Sequence, residues 1–171
     1  MLKIEGWLKE EVKGKWILFS IIACLFLDFA LNCFVILILN IFDITISAQN
    51  ESGIPILTPS FPIMLICTAY FEELIFRAPL ALLVLLTAER WKLRVIFIVA
   101  VALSILFGLV HGGIPNIFLQ GIGGLLWSIL FLKCGGYQKK FIKPLAVTTI
   151  THFLFNGILA LICLSQGVHQ L

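Results

Sequence analysis

The sequence predicts an all-α fold, a polytopic transmembrane helix bundle with about five spans. Three observations predict it. Sixty-one per cent of the 171 residues are hydrophobic and 12% are charged, against about 45–50% and about 25% in soluble domains. Five stretches approach the roughly 20 apolar residues needed to cross a hydrocarbon core. Eleven of the twelve Lys and Arg residues fall at one end of those stretches. A mean hydropathy of +1.11 excludes a water-soluble monomer, and no basic surface or repeat points to nucleic acid. The length suits one integral-membrane domain over residues 1–171.

The first span covers Trp16–Ile41. Its apolar run exceeds the ~7–15 residues of a signal-peptide core and no small-x-small cleavage site follows, so it reads as a retained helix. Asp28 and Asn32, four apart on it, either line a substrate entry or bind a neighbouring helix, with packing the favoured role. The second span, Ile63–Leu86, and the fifth, Leu145–Leu164, are interrupted by polar residues. Val95–His111 is the third. Ile117–Leu132 is the fourth, with Gly121, Gly123 and Gly124 suited to close helix approach. Gly112 and Gly113 with Pro115 suit a tight outer turn, and Gly135 and Gly136 with Pro144 a turn before span five. The cysteines Cys24, Cys33, Cys67, Cys134 and Cys163 include no CxxC pair and read as small hydrophobes.

Charge sets the orientation. Lys3, Lys9, Lys13 and Lys15 precede span one. Arg90, Lys92 and Arg94 separate spans two and three, and Lys133, Lys139, Lys140 and Lys143 separate spans four and five. The connections Asp43–Pro62 and Gly112–Asn116 carry no Lys or Arg. The positive-inside rule assigns the basic side to the cytoplasm, and Trp16 and Trp91 suit the inner interface. The N-terminus is expected inside and the C-terminus outside, in a membrane of the bacterial cytoplasmic type.

Arg77 is the twelfth basic residue, and it lies within a span. Ionisable groups there cost at least ~2.5–3.5 kcal/mol each near the centre. Glu73 and Arg77 are four apart, so they share a helix face and can pair. Glu72 is turned about 100° away, free to face a wet cavity. A packing salt bridge accounts for Glu73 and Arg77 but leaves Glu72 unexplained. His111 ends span three one turn after Phe107, and His152 and Asn156 are four apart on span five. Singly, each reads as an interfacial or interhelical polar residue. Together they have one bundle interior to share. Such a set supports addition of water to an amide carbonyl: Glu72 and His111 handle the water, and His152 and Asn156 donate to the oxyanion. Ser104, seven residues before His111, leaves a serine mechanism as a minor option.

At these residues the sequence resembles the CPBP (Abi) family of type II CAAX prenyl endopeptidases and bacteriocin-processing enzymes. Its EExxxR, FxxxH and HxxxN motifs stand here as Glu72-Glu73…Arg77, Phe107…His111 and His152…Asn156. The resemblance covers about residues 63–158. It implies an intramembrane glutamic endopeptidase, in which Glu72 and His111 activate water and His152 and Asn156 form the oxyanion hole. Glu73 and Arg77 support them, and no cofactor or metal is implied. The expected partners are the lipid bilayer and a membrane protein or peptide substrate, cut in a C-terminal tail or a precursor.

Three other readings compete: a non-catalytic immunity or scaffold protein of the same fold, a zinc protease using Glu72, His111 and His152, and a proton-relay transporter. The last is disfavoured by the absence of an internal repeat. Helix rise alone leaves a mismatch, placing His111 about 24 Å and His152 about 10–12 Å above the inner ends. Either span five starts after Leu145, or a segment near Phe141–Thr148 is re-entrant.

Overall fold

A computed structural model describes residues 2–41, 58–87 and 89–165. The outer connection expected over Asp43–Pro62 lies largely outside the described residues. So do the C-terminal residues 166–171 and the side chains of Arg90, Trp91 and Lys92. The described chain is helical: α1 (Leu2–Lys9), α2 (Lys15–Ile41), α3 (Phe61–Leu86), α4 (Glu89–Val110), α5 (Ile114–Phe118), α6 (Gln120–Phe131) and α7 (Ile142–Ser165). A π-helical turn, Leu132–Gly136, extends α6.

Four segments are long and apolar enough to cross a membrane: Lys15–Ile41, Leu93–Val110, Ile114–Gly136 and Ile142–Ser165. Helix α3 is long enough, at 26 residues, but carries Glu72, Glu73 and Arg77 at mid-length. It begins at Phe61 and Pro62, where the missing proline N–H has no helical partner to lose. Pro79 sits inside it, where its ring denies the Ile75 carbonyl a donor. The expected fourth span is not one helix. Leu119 leaves helical geometry at φ −95° and ψ −80°, dividing α5 from α6.

Helix α6 is the hub. A Cβ on Gly121 would come within 2.9 Å of the Ser104 carbonyl of α4, and one on Gly124 within 3.2 Å of the Phe107 ring. Glycine there lets the two helices nearly touch. At one end of the bundle, Leu8 of α1 packs with Leu80, Val84, Ile96, Leu132, Tyr137 and Leu145. At the other, Phe61 and Leu65 of α3 meet Ala160 of α7. All five cysteines are free.

Neither remedy expected for the mismatch in depth is found. Helix α7 starts before Leu145, at Ile142, and runs unbroken to Ser165. Instead the α6–α7 connection is buried: Cys134, Gly135, Gly136 and Tyr137 lie inside the protein. Residues 2–14 cover it. Gln138 Nε2 donates to the Leu8 and Lys9 carbonyls at 2.7 and 2.9 Å, and Lys133 Nζ to those of Trp7 and Glu10. Helix α7 therefore follows a buried connection, although its own first residue, Ile142, is 83% exposed. The sequence reading missed α1 because eight residues are too few to show a period.

Glu11 fastens this cover. Its carboxylate meets Lys140 Nζ at 2.5 Å and Lys143 Nζ at 2.6 Å. Hydrogen bonds from those two ammonium groups hold it down from its ordinary 4.5 to about 2. A depressed acid stabilises the folded state fully above its unfolded value and loses that contribution as pH falls through the folded one. The 2–14 cover is thus expected to loosen between pH 4.5 and 2. Pepsin cleavage of this segment should rise across that window in the native protein and show no such step in Glu11→Gln. An identical step in the variant would assign the loosening to another group.

Candidate active site

Helix α3 brings two carboxylates and one guanidinium to the bundle interior. Arg77 Nε donates to Glu73 Oε2 at 2.9 Å and Nη2 to Oε1 at 3.3 Å, the two-pronged match of guanidinium to carboxylate. Arg77 Nη1 reaches across to α6 and donates to Ser128 Oγ at 2.6 Å. The Ser128 hydroxyl in turn donates to the Gly124 carbonyl at 2.8 Å. Glu73 and Arg77 side chains are each 1% exposed. Glu72, on the next face, is 26% exposed.

Two histidines converge on Glu72. His111 Nδ1 lies 2.7 Å from the Phe107 carbonyl. That oxygen only accepts, so Nδ1 carries the proton and Nε2 faces Glu72 Oε2 at 3.5 Å. The turn after α4 has Gly112 and Gly113 at φ +134° and +82°, and Asn116 Nδ2 returns to the His111 carbonyl at 2.7 Å. His152 of α7 places its Nε2 3.5 Å from the same Glu72 oxygen. Its Nδ1 lies 3.3 Å from Glu73 Oε1, a close contact that is not aligned as a hydrogen bond.

One carboxylate oxygen therefore stands between two imidazoles. The mouth, Glu72 and His111, is about a quarter exposed, while the His152 side chain is 3% exposed. Aromatic rings frame it. Phe107 lies 4.2 Å from the His111 ring and 6.1 Å from that of His152, and Trp127 lies 4.2 Å from His152. An open carboxylate flanked by imidazoles can take up and return a proton. Glu73 cannot do so without giving up Arg77.

A family model described as type II CAAX prenyl endopeptidase Rce1-like matches residues 54–158. The chain belongs to the type II CAAX prenyl endopeptidase Rce1-like family. The resemblance read from the three motifs thus holds, over a segment beginning at 54 rather than 63. Rce1-like proteins are a protease family, and the helical membrane architecture agrees with an embedded member. Comparison with curated proteins and with solved structures returned no match.

Within the Rce1-like segment, the structure gathers Glu72, Glu73, Arg77, His111 and His152. Asn156 stands apart. It is half-buried one turn beyond His152, and its side chain makes no hydrogen bond to the carboxylates among the described residues. The Ser104 hydroxyl is spent within its own helix, donating to the Ala100 carbonyl at 2.6 Å. Among the described residues, no group of three His, Cys, Asp or Glu is arranged to hold a metal ion. Trp127 and Ser128 went unread in the sequence. A serine four residues after a helix-contact glycine was the available signal for Ser128.

Proposed function

We propose that this chain is an intramembrane glutamic endopeptidase that cuts a peptide bond in a membrane-associated protein or peptide. The observation that supports the reading best is Glu72 Oε2 at 3.5 Å from Nε2 of both His111 and His152. These distances exceed a formed hydrogen bond, and catalytic contacts without substrate are often long. Glu72 takes a proton from water as the water oxygen bonds to the scissile carbonyl carbon. Nε2 of His111, its Nδ1 proton committed to Phe107, accepts from and orients that water. His152 and Asn156 stabilise the oxyanion, Asn156 through an amide not spent within the site. Collapse of the tetrahedral adduct breaks the C–N bond, and Glu72 returns its proton to the leaving amine. The N-terminus faces the cytoplasm, in keeping with the basic residues gathered around α1.

The mechanism is tested on purified protein in liposomes, given a farnesylated peptide with a Cys-aliphatic-aliphatic-X tail and its unprenylated twin. Hydrolysis should persist after treatment with strong chelators. His152→Ala and Asn156→Ala should each slow it, by ~10²–10³-fold for a lost oxyanion donor. Activity abolished by chelator and restored by zinc, with Asn156→Ala unimpaired, would replace the glutamic mechanism with a zinc one.

A further inference from the structure

We propose that Asp28 of α2 is a positioning residue for this site: its carboxylate takes the indole N–H of Trp127 and so seats that ring against His152. The proposal rests on the active-site reading above. Helix α2 lies outside the matched residues 54–158, so the family match gives it no part in the chemistry.

Asp28 is fully buried, a costly place for an ionisable group in a span. Its surroundings are built around it. Asn32 Nδ2, one turn on, donates to Asp28 Oδ1 and to the Asp28 carbonyl, both at 2.9 Å. On α6, a Cβ at Gly123 would come within 2.9 Å of Oδ2 and 3.0 Å of Oδ1. Glycine is what lets the α6 backbone approach the carboxylate. Oδ2 has no hydrogen-bond partner among the described residues, and neither has Trp127 Nε1, though both atoms are enclosed. Gly123 and Trp127 are four apart and share a face of α6. The indole thus lies one turn along α6 from the glycine that the carboxylate touches. On this proposal the indole N–H turns to Oδ2 and closes the bond. Left open, donor and acceptor would both stay desolvated without compensation.

The effect reaches the chemistry through the ring. Trp127 lies 4.2 Å from His152 with 37° between the planes, and its other ring neighbours are Phe107 at 6.0 Å and Phe155 at 5.8 Å. Such contacts hold the ring by packing, without a directional bond. The indole N–H supplies one. With the indole seated, His152 keeps one nitrogen toward Glu73 and the other toward Glu72, at 3.3 and 3.5 Å. A residue of α2 thereby sets the imidazole that faces the general base.

The test uses full-length protein labelled with 5-fluorotryptophan, the Trp127 fluorine resonance being assigned by its loss in Trp127→Phe. Asp28→Leu removes the acceptor, Asp28→Asn keeps one acceptor oxygen, and Gly123→Ala displaces an intact carboxylate. Asp28→Leu and Gly123→Ala are expected to shift the Trp127 resonance. Each should also lower kcat on the faster-cut peptide above by roughly 10-fold at unchanged KM, the scale of a small misplacement of a reacting group. Asp28→Asn should retain most of the activity. A packing role would lower only melting temperature and yield, with native kcat and an unmoved resonance in the folded fraction; that result overturns the proposal. Should Asp28→Leu not fold, Gly123→Ala and Asp28→Asn decide by the same readouts. Cleavage that survives Glu72→Gln would sink the glutamic reading of the site alone, leaving the resonance to judge Asp28.

Discussion

Glu72→Gln is expected to abolish cleavage while leaving the protein inserted, folded and as heat-stable as the native chain. Removing a general base typically costs ~10²–10⁴-fold in rate, which would carry a membrane protease below detection in cells. The fold should not notice. Glu72 is a quarter exposed, its two neighbours are histidines at 3.5 Å, and a glutamine has nearly the same volume. Profiling of newly formed C-termini in membranes should show cleaved tails with native protein and none with Glu72→Gln. His111→Ala should give the same silence with the same intact fold. If Glu72→Gln, Glu73→Gln and His111→Ala all fail to fold alike, the acids are structural and the enzyme reading falls. A full set of cleaved tails in Glu72→Gln would remove this residue from the chemistry.

The contrast between the two adjacent glutamates was legible before any coordinates. Their difference follows from helix geometry: four residues bring Glu73 to Arg77, and one residue turns Glu72 away by about 100°. The spans were legible for a similar reason, since apolar runs of that length have few other uses. What could not be read was how helices meet. The connection ahead of α7, Cys134–Tyr137, is buried and is covered by an N-terminal segment that looks like an ordinary charged leader. Trp127 and Ser128 sit in an apolar stretch where a lipid-facing residue and a site residue have the same signature. Asp28 and Asn32 raised the question of packing or access. The structure shows Asp28 packed against Gly123 of α6, which is the packing role, and it is the line-up with Trp127 that extends it toward chemistry.

Arg77→Met is expected to destabilise the bundle severely, and adding Glu73→Gln to it should restore most of the loss. Arg77 and Glu73 are both 1% exposed and joined by two hydrogen bonds, so removing one partner strands the other's charge away from water. Breaking such a buried pair costs about 3–5 kcal/mol, whereas replacing both members by neutral groups is often near neutral. Glu73→Gln alone should also harm abundance, because the buried Arg77 charge then keeps only neutral acceptors and no counter-carboxylate. The single variants are compared with the double by resistance to unfolding in a denaturing detergent and by yield from membranes. Stability should fall in each single variant and return in the double, a coupling that independent sites would not show. Activity should not return with it. His152 Nδ1 lies 3.3 Å from Glu73 Oε1, and a neutral amide there no longer offers that ring a charged neighbour. The pair thus has two duties that one double variant separates: the charge balance of α3 and the seating of His152. A stable Arg77→Met would show that the bridge is dispensable to the fold, and a fully active double variant would show that His152 does not need Glu73.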